Sequence, residues 1–164
     1  MEDIGRTLTI TRRTDYGVRL MYELGKIPFG ATLSVRDLCE AADVPASFGA
    51  SLVPFLVDGG LVETQDSQHH LLSLARPAAD ISMADVICSC EPAFSLAACV
   101  DDPHSCGRSA GCGIRGMWAT LDAVVWSHLR AMTLETVSSN RALPPEIYAQ
   151  HLPDTRTGLT VRSS

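Results

Sequence analysis

The chain has 164 residues, is 46% hydrophobic and carries a formal net charge of −6. This composition allows one compact core and argues mildly against a protein that binds nucleic acid by bulk electrostatic attraction. The first residues resemble no secretory signal, and no apolar stretch approaches the length that a bilayer requires. We therefore expect a soluble cytoplasmic protein with no membrane contact. In that reducing compartment, six cysteines favour metal or redox chemistry over a disulfide framework, although free buried cysteines are common.

Three helices are predicted in the first sixty residues. Apolar residues recur at steps of three and four over residues 11–27 and then meet a Pro–Gly turn, which indicates an amphipathic helix. A second helix begins after Ser34, a good N-cap residue, and a third begins at Pro45 and ends at two glycines. Pro54 lies inside the third helix and should bend it, because proline lacks a backbone donor. The buried stripe of this helix is predicted to comprise Phe48, Leu52, Phe55 and Leu56.

The next segments predict a small β wing. "LVETQ" and "HLLSL" are apolar strands, and residues 66–69 form the turn between them. Two short helices joined by a tight turn and followed by a strand pair form a winged helix-turn-helix. The sequence thus predicts a mainly α fold with a small β wing, and it places a winged helix-turn-helix DNA-binding domain at residues 8–80.

A long helix is predicted in the second half of the chain. After a short helix capped by Ser82 and stopped by Pro92, the apolar residues of segment 113–137 form one stripe over about six turns. A helix of this length most often packs against a copy of itself, which indicates a homodimer. Residues 81–138 are therefore interpreted as a cysteine-loop and dimerisation-helix region. Residues 139–164 lack a periodic pattern and are interpreted as a mobile tail.

Three cysteines lie between these two helices in "CVDDPHSCGRSAGC", with the spacing C-x6-C-x5-C. Thiolates are soft donors that suit an iron–sulfur cluster or zinc. Gly107, Gly111 and Gly113 would let the backbone fold closely around an inorganic core. Three cysteines leave one position for a weaker ligand, which would open a cluster to oxidants, nitric oxide or loss of iron. Zinc with the same three ligands and His104 is the alternative, and His104 is also interpretable as a solvated loop residue.

Several segments together resemble a known family. They are "LTITRRTDYGVRLMYEL", "VPASFGASLVPFLVDGGLVE", "LLSLARPAADISMADVI" and "CGIRGMWATL", in this order along the chain. From about Leu8 to Val137 the sequence resembles the winged-helix regulators that include the iron–sulfur regulator IscR and the nitric-oxide-sensing repressor NsrR. The resemblance implies a homodimeric transcriptional regulator that binds double-stranded promoter DNA and senses redox state, nitric oxide or iron–sulfur supply.

The resemblance also implies a cofactor and its ligands. A 4Fe–4S or 2Fe–2S cluster is expected on Cys99, Cys106 and Cys112. Asp15 occupies the position at which the nitric-oxide-sensing members use an aspartate of the other subunit as the fourth ligand, although members without a cluster also have an acid there. Cys88 and Cys90 precede the loop and are interpreted as core or accessory thiols, with Cys90 a possible competing ligand. Cys39 is interpreted as a buried apolar residue.

The sequence departs from this family in three places. The wing reads "TQDSQHH" instead of containing several glycines and an arginine, and the third helix presents small residues where basic or long polar ones are usual. Arg115 replaces the histidine that the IscR-like members place three residues after the third cysteine. DNA contacts are expected from Arg12, Arg13, Arg36, Ser47, Ser51, His69 and His70, although the two histidines also suit a solvated turn.

The residues also bear on two functions other than a DNA-binding sensor. The small residues of the third helix and the plain wing favour a zinc- or cluster-stabilised interaction protein of the same fold with weak or lost DNA binding. An enzyme is disfavoured, because the sequence has no phosphate loop, nucleophile elbow or paired-carboxylate motif.

Overall fold

The computed structural model describes residues 10–65, 70–91 and 95–139. Over these ranges the chain is mainly helical, with a small antiparallel sheet, which confirms the predicted fold class. The elements are α1 (Arg12–Leu24), β1 (Leu33–Ser34), α2 (Val35–Ala41), α3 (Ala46–Asp58), β2 (Val62–Thr64), β3 (Leu71–Leu74), α4 (Met83–Cys90), α5 (Ala98–Asp101), α6 (Gly113–Ala131) and α7 (Leu134–Ser138). In the described part of the chain, no helix is long and apolar enough to span a bilayer.

Hydroxyl side chains define where several helices begin. The side chain of Ser34 accepts a hydrogen bond from the backbone of Asp37 at 3.0 Å and so caps α2, as the sequence predicts. Ser82 caps α4 in a reciprocal capping box, because the carboxylate of Asp85 also accepts a bond from the Ser82 backbone at 2.9 Å. These bonds satisfy backbone donors that have no partner inside the helix, so the helix starts are encoded locally.

The sheet has three strands in the order β1–β3–β2, and both pairings are antiparallel. The predicted hairpin of β2 and β3 is present, while its turn at residues 66–69 lies outside the described residues. The two-residue strand β1 was not predicted, because so short a strand has no visible alternation; it pairs Leu33 with Leu72. Directly after β1, the backbone of Val35 donates to the carbonyl of His70 at 2.8 Å, which fastens the start of α2 to the wing.

Helix α3 continues through Pro54 to Asp58. Its buried side consists of Gly49, Leu52, Val53 and Leu56. The prediction that Phe55 is buried was wrong: its side chain is 38% exposed, and the guanidinium of Arg13 stacks over its ring at 4.8 Å. Phe55 lies one residue before Leu56, about 100° around the helix, and this rotation carries it to the edge of the buried face.

Helix α4 approaches α1 closely at Gly17. A Cβ at this position would collide with the Sγ atom of Cys90, which is fully buried. In the same way, Gly49 of α3 makes room for the buried Sγ atom of Cys39. Both cysteines therefore fill space between helices. This confirms the interpretation of Cys39 as a buried small residue and identifies Cys90 as another.

The predicted long helix is split in two. Helix α6 ends at Ala131, since Met132 is extended and Thr133 caps a new helix. Between the two helices, a short antiparallel bridge to the start of α4 keeps the chain extended. In this bridge the backbone N–H of Met83 donates to the carbonyl of Met132 at 2.8 Å, and that of Leu134 donates to the carbonyl of Ile81 at 2.7 Å. The bridge inserts Leu134 into the core with no exposed surface. Burial of this leucine outweighs continuation of the apolar stripe, and residues 140–164, which include most of the predicted tail, lie outside the described part of the chain.

Candidate functional site

The cysteine loop (residues 99–112) joins α5 to α6. Cys99 lies on α5, Cys106 directly follows a 3-10 turn at Pro103–Ser105, and Cys112 immediately precedes the first residue of α6. Cys106 is exposed, whereas Cys99 and Cys112 are half-buried. The three thiols are thus distributed over the beginning, middle and end of one loop.

Short-range hydrogen bonds shape the loop. The carboxylate of Asp102 accepts a bond from the backbone of His104 at 2.8 Å, and its carbonyl accepts one from the Ser105 hydroxyl at 2.7 Å. The backbone of Ser109 then connects the other two cysteines: its N–H donates to the carbonyl of Cys106 at 3.0 Å, and its carbonyl accepts from Cys112 at 3.4 Å. The loop is therefore a series of tight turns.

Of the three glycines expected to lie close to an inorganic core, two belong to the loop and Gly113 is the first residue of α6. Gly111 adopts φ +76, a left-handed conformation that favours glycine over residues with a side chain. A Cβ at Gly107 or Gly113 would meet open space, so packing within the described chain does not require glycine at either position. Only one of the three glycines is thus required by the backbone conformation.

Arg115 connects the two ends of the loop. From the first turn of α6 its Nε atom donates to the carbonyl of Cys99 at 2.7 Å. On the same helix, the carboxylate of Asp122 accepts a bond from the backbone of Leu96, just before α5, at 3.1 Å. Arg115, which stands where the IscR-like proteins have a histidine, therefore links the first turn of α6 to the beginning of the cysteine loop. We call this bond the Arg115 tether.

The described residues contain no group of three His, Cys, Asp or Glu side chains arranged to hold a metal ion. Two observations nevertheless fit a metal–thiolate group at the cysteine loop. Three soft donors lie within fourteen residues, and among the described residues the Oγ atom of Ser109 is buried without a hydrogen-bond partner. A buried polar atom of this kind normally has a partner, which can be a bound group. The loop thus has a donor set and an unused buried hydroxyl that suit such a group.

The remaining cysteines differ from the loop cysteines in their environment. Burial raises the pKa of Cys90 to about 11; Arg13 opposes this effect and Glu91 adds to it. The thiol is therefore protonated at neutral pH, and since the thiolate is the form that binds metals, Cys90 is a weak competing ligand. Cys88, by contrast, is exposed on α4 and is not a core residue.

Asp15 lies on the first turn of α1. Its carboxylate forms an ion pair with Arg19 one turn later at 3.0 Å, and both side chains are nearly half exposed. A pair of this kind between exposed side chains contributes little free energy. The carboxylate is therefore accessible and can exchange its partner at low cost.

The predicted DNA-contacting residues that the structure describes are all exposed: Arg12, Arg13, Arg36, Ser47, Ser51 and His70. Arg13 also stacks on Phe55 and donates to the carbonyl of Cys90 at 3.5 Å, and the Ser51 hydroxyl donates to the carbonyl of Phe48 at 2.6 Å. His69 lies outside the described residues.

A groove runs between α3 and the wing on this side of the molecule. Its volume is about 430 Å³, and Pro54 of α3 and Asp58 at the helix end contribute to its wall. The full lining comprises Val35, Ala50, Val53, Pro54, Val57, Asp58 and His70. The groove places an acidic side chain beside a histidine, and its remaining side chains are small or apolar.

Sequence reasoning missed the contact that joins the cysteine-loop region to α1. The carboxylate of Glu91, at the end of α4, accepts hydrogen bonds from the hydroxyls of Thr11 and Thr14, both at 2.8 Å. Together with the packing of Cys90 on Gly17, these bonds form what we call the α1–α4 junction. The sequence shows two threonines three residues apart at the start of a helix, which indicates a cap. It does not show that their distant partner is Glu91.

Helix α6 exposes an apolar face. In the single chain Ile114 is 66% exposed, Met117 55%, Leu121 44% and Val124 36%, at steps of three and four residues. No residue of this 19-residue helix is buried. Such a contiguous apolar surface is typical of an interaction site.

Comparison with known proteins places this geometry in context. The family model Rrf2, described as an iron-dependent transcriptional regulator, matches residues 10–140. The Rrf2 protein of Nitratidesulfovibrio vulgaris is 22% identical over 85% of this chain and 93% of its own length. An HTH-type transcriptional regulator of Mycobacterium tuberculosis is 27% identical over 94% of this chain and 95% of its own length.

Solved structures share the fold. IscR of T. potens superposes with a TM-score of 0.63 at 20% identity, covering 86% of this chain and 97% of that one. Oxidised CymR of Staphylococcus aureus gives 0.63 at 20% identity, with coverages of 83% and 100%. CymR of B. subtilis, described as the global cysteine regulator, gives 0.65 at 22% identity, with the same coverages.

The Arg115 tether generates a test. Arg115→Ala removes the bond to the carbonyl of Cys99, and a hydrogen bond of this kind contributes about 1 kcal/mol. We expect roughly fivefold faster tryptic cleavage after Arg108, which is exposed within the loop, measured by mass spectrometry of short digests. The matched control is Arg130→Ala, at the far end of α6, where the arginine stacks over Trp126. Equal cleavage rates in the two variants and the unmodified protein would contradict the tether.

Proposed function

Because the chain belongs to the Rrf2 family of transcriptional regulators, we propose that it is a homodimeric DNA-binding sensor of redox state, nitric oxide or iron–sulfur supply. Its sensing element would be a cluster on Cys99, Cys106 and Cys112. The observation that carries this proposal is that three thiols share one short loop, and that the helix preceding the loop ends in a hydrogen-bonded junction with the first helix of the winged domain.

The cofactor proposed is a 4Fe–4S or 2Fe–2S cluster, with zinc as the alternative. Such a cluster supplies a group that reacts with small oxidants or loses iron. Cys99, Cys106 and Cys112 would hold it. The half-burial of Cys99 and Cys112 and the exposure of Cys106 would give small molecules access from one side.

Asp15 of the partner subunit is the proposed fourth ligand. A carboxylate is a harder and weaker partner for iron than a thiolate, so it suits an exchangeable position. Its exposed pair with Arg19 can be given up at little cost. His104, in the zinc alternative, lies exposed in the cysteine loop itself.

The α1–α4 junction is the proposed route from the cysteine loop to DNA. Glu91 accepts bonds from the residue that caps α1 and from Thr14 one turn later. Arg13 connects the same junction to Phe55 of α3. A change in the loop that displaces the end of α4 would therefore alter both helices, which is a coupling between two sites.

The proposed DNA surface consists of Arg12, Arg13, Arg36, Ser47, Ser51, His69 and His70. The second candidate, an interaction protein with weak or lost DNA binding, is favoured by one observation: α3 has no lysine or arginine, and Arg13 is engaged within the protein. The proposed division into a winged domain at 8–80, a cysteine-loop and dimerisation region at 81–138 and a tail at 139–164 stays a prediction.

The cofactor proposal has a direct chemical test. Protein purified without oxygen should be brown and contain iron and acid-labile sulfide. Changing Cys99, Cys106 or Cys112 to Ala should remove the visible absorption, since each would supply one thiolate to the cluster. Cys39→Ala serves as the control because that thiol is buried between helices and should leave the colour intact. Colourless protein with stoichiometric zinc would contradict the cluster and favour the alternative.

The dimer proposal is tested on the exposed face of α6. Burying one leucine contributes about 1.5–3 kcal/mol, and each Leu121→Asp dimer loses two such contacts. We expect this variant to elute as a monomer or to aggregate in size-exclusion chromatography with light scattering. Ala123→Asp is the matched control, since Ala123 is also exposed and lies about 200° further around the helix. An unmodified protein that is monomeric at micromolar concentration would rule this interface out.

The DNA proposal predicts a shallow dependence on salt. If Arg12 and Arg36 of both subunits neutralise four phosphates, the slope of log K against log salt should be about −4, because each phosphate contributes about −0.9. Arg36→Ala should reduce the slope by about 2, measured by fluorescence anisotropy on the protein's own promoter. The control is Lys26→Ala, since Lys26 is paired with Glu23 beyond the other end of α1. A slope near −8 would mean that the surface is misplaced, and no binding even at low salt would favour the interaction protein.

A further inference from the structure

The buried hydroxyl of Ser109 has a distinctive place in the cysteine loop. Its residue lies three positions after Cys106 and three before Cys112. Its backbone N–H donates to the carbonyl of Cys106, and its carbonyl accepts from the backbone of Cys112. Ser109 is therefore fixed between two of the three proposed ligands by its own main chain.

Several other polar groups in and beside the loop have partners. The hydroxyl of Ser105 donates to the carbonyl of Asp102, whose carboxylate accepts the bond from His104. The guanidinium of Arg115 donates to the carbonyl of Cys99. Among the buried side-chain nitrogen and oxygen atoms of the described residues, only the Oγ atom of Ser109 has no hydrogen-bond partner.

An unpartnered buried hydroxyl destabilises the fold, because it has lost its hydrogen bonds to water and gained none in return. Alanine at this position would avoid that cost and fill nearly the same space. The loop thus carries a donor that the protein alone leaves unused, and the same loop carries three cysteine sulfur atoms, which accept hydrogen bonds when they are ionised or bound to metal.

We propose that the hydroxyl of Ser109 donates a hydrogen bond to a sulfur atom of the metal–sulfur group held by Cys99, Cys106 and Cys112. This inference rests on the proposed function. The role is one of positioning, since a neutral alcohol is a poor ligand for iron but a good donor to a thiolate or sulfide. Hydrogen bonds to sulfur tune such groups and hold their ligands in place. Ser109 would therefore stabilise the loaded loop without competing with Asp15 for iron.

The proposal predicts effects of opposite sign in the two states of the protein. In the cluster-free protein, Ser109→Ala removes an unpartnered hydroxyl, so its thermal unfolding midpoint should stay equal or rise by a few degrees. In the loaded protein the same change removes a bond to sulfur, so iron should be released several-fold faster to a chelator under anaerobic conditions. Ser109→Thr keeps the hydroxyl and should restore most of the slow release.

The experiment compares Ser109→Ala and Ser109→Thr with Ser105→Ala as the matched control. Ser105 lies in the same loop, but its hydroxyl is exposed and already donates to the backbone. The readouts are the unfolding midpoint of the cluster-free protein and the anaerobic rate of iron release from the reconstituted protein. The proposal is supported if the unmodified protein releases iron slowly and Ser109→Ala is the only variant that releases it fast. The cluster-free unfolding midpoint of Ser109→Ala must also not fall below that of the unmodified protein.

Two results would overturn it, and they are distinguishable. If all variants assemble the cluster and release iron at the rate of the unmodified protein, the Ser109 contact is absent while the proposed function stands. The same conclusion follows if Ser109→Ala lowers the cluster-free midpoint, because the hydroxyl would then have a partner within the protein. If the unmodified protein assembles no iron and sulfide, the proposed function itself is wrong, and this inference is wrong with it.

Discussion

The close approach of α4 to α1 fixes how these two helices pack. It requires a residue without a side chain at Gly17, because the sulfur atom of Cys90 lies where a Cβ would be. The same contact positions Glu91 so that one carboxylate accepts the hydroxyls of Thr11 and Thr14. The buried contact of Cys90 with Gly17 and the hydrogen bonds of the Glu91 carboxylate thus join α1 and α4 at the same point. Charged acceptors form the stronger hydrogen bonds and suit the positive end of a helix, so this junction resists separation.

The junction also supports the proposed link between the cysteine loop and the DNA-binding surface. Arg13 is exposed, but it also stacks on Phe55 and donates to the carbonyl of Cys90. One side chain of α1 therefore contacts both α3 and α4. In the proposed regulator, a change that displaces the end of α4 would first move Arg13. The coupling between the cysteine loop and the DNA-binding surface would then pass through this one side chain.

The sequence was sufficient to predict features that depend on local chemistry. Ser34 and Ser82 cap α2 and α4 as predicted, because capping depends on residues no more than four positions apart. The hairpin, the buried Cys39 and the exposed stripe of α6 follow from periodicity. Features that depend on distant partners were not predictable. The apolar stripe runs on to Met132 in the sequence and does not show that the helix ends at Ala131 so that Leu134 enters the core, and Phe55 fits a buried pattern but stacks under Arg13. In the candidate site, the residue types of the loop were visible from the sequence, whereas the tether by Arg115 and the unpartnered Ser109 required coordinates.

The bridge at Met132 has a mechanical consequence. The start of α4 is bound to the end of α6 through Met83 and Met132, and Leu134 directly after this bridge is fully buried. This end of α6 is therefore anchored in the core, whereas its other end begins directly after the cysteine loop. A shift of the loop would then act on α6 as on a lever: it would turn the helix about its anchored end and displace the exposed apolar face with it.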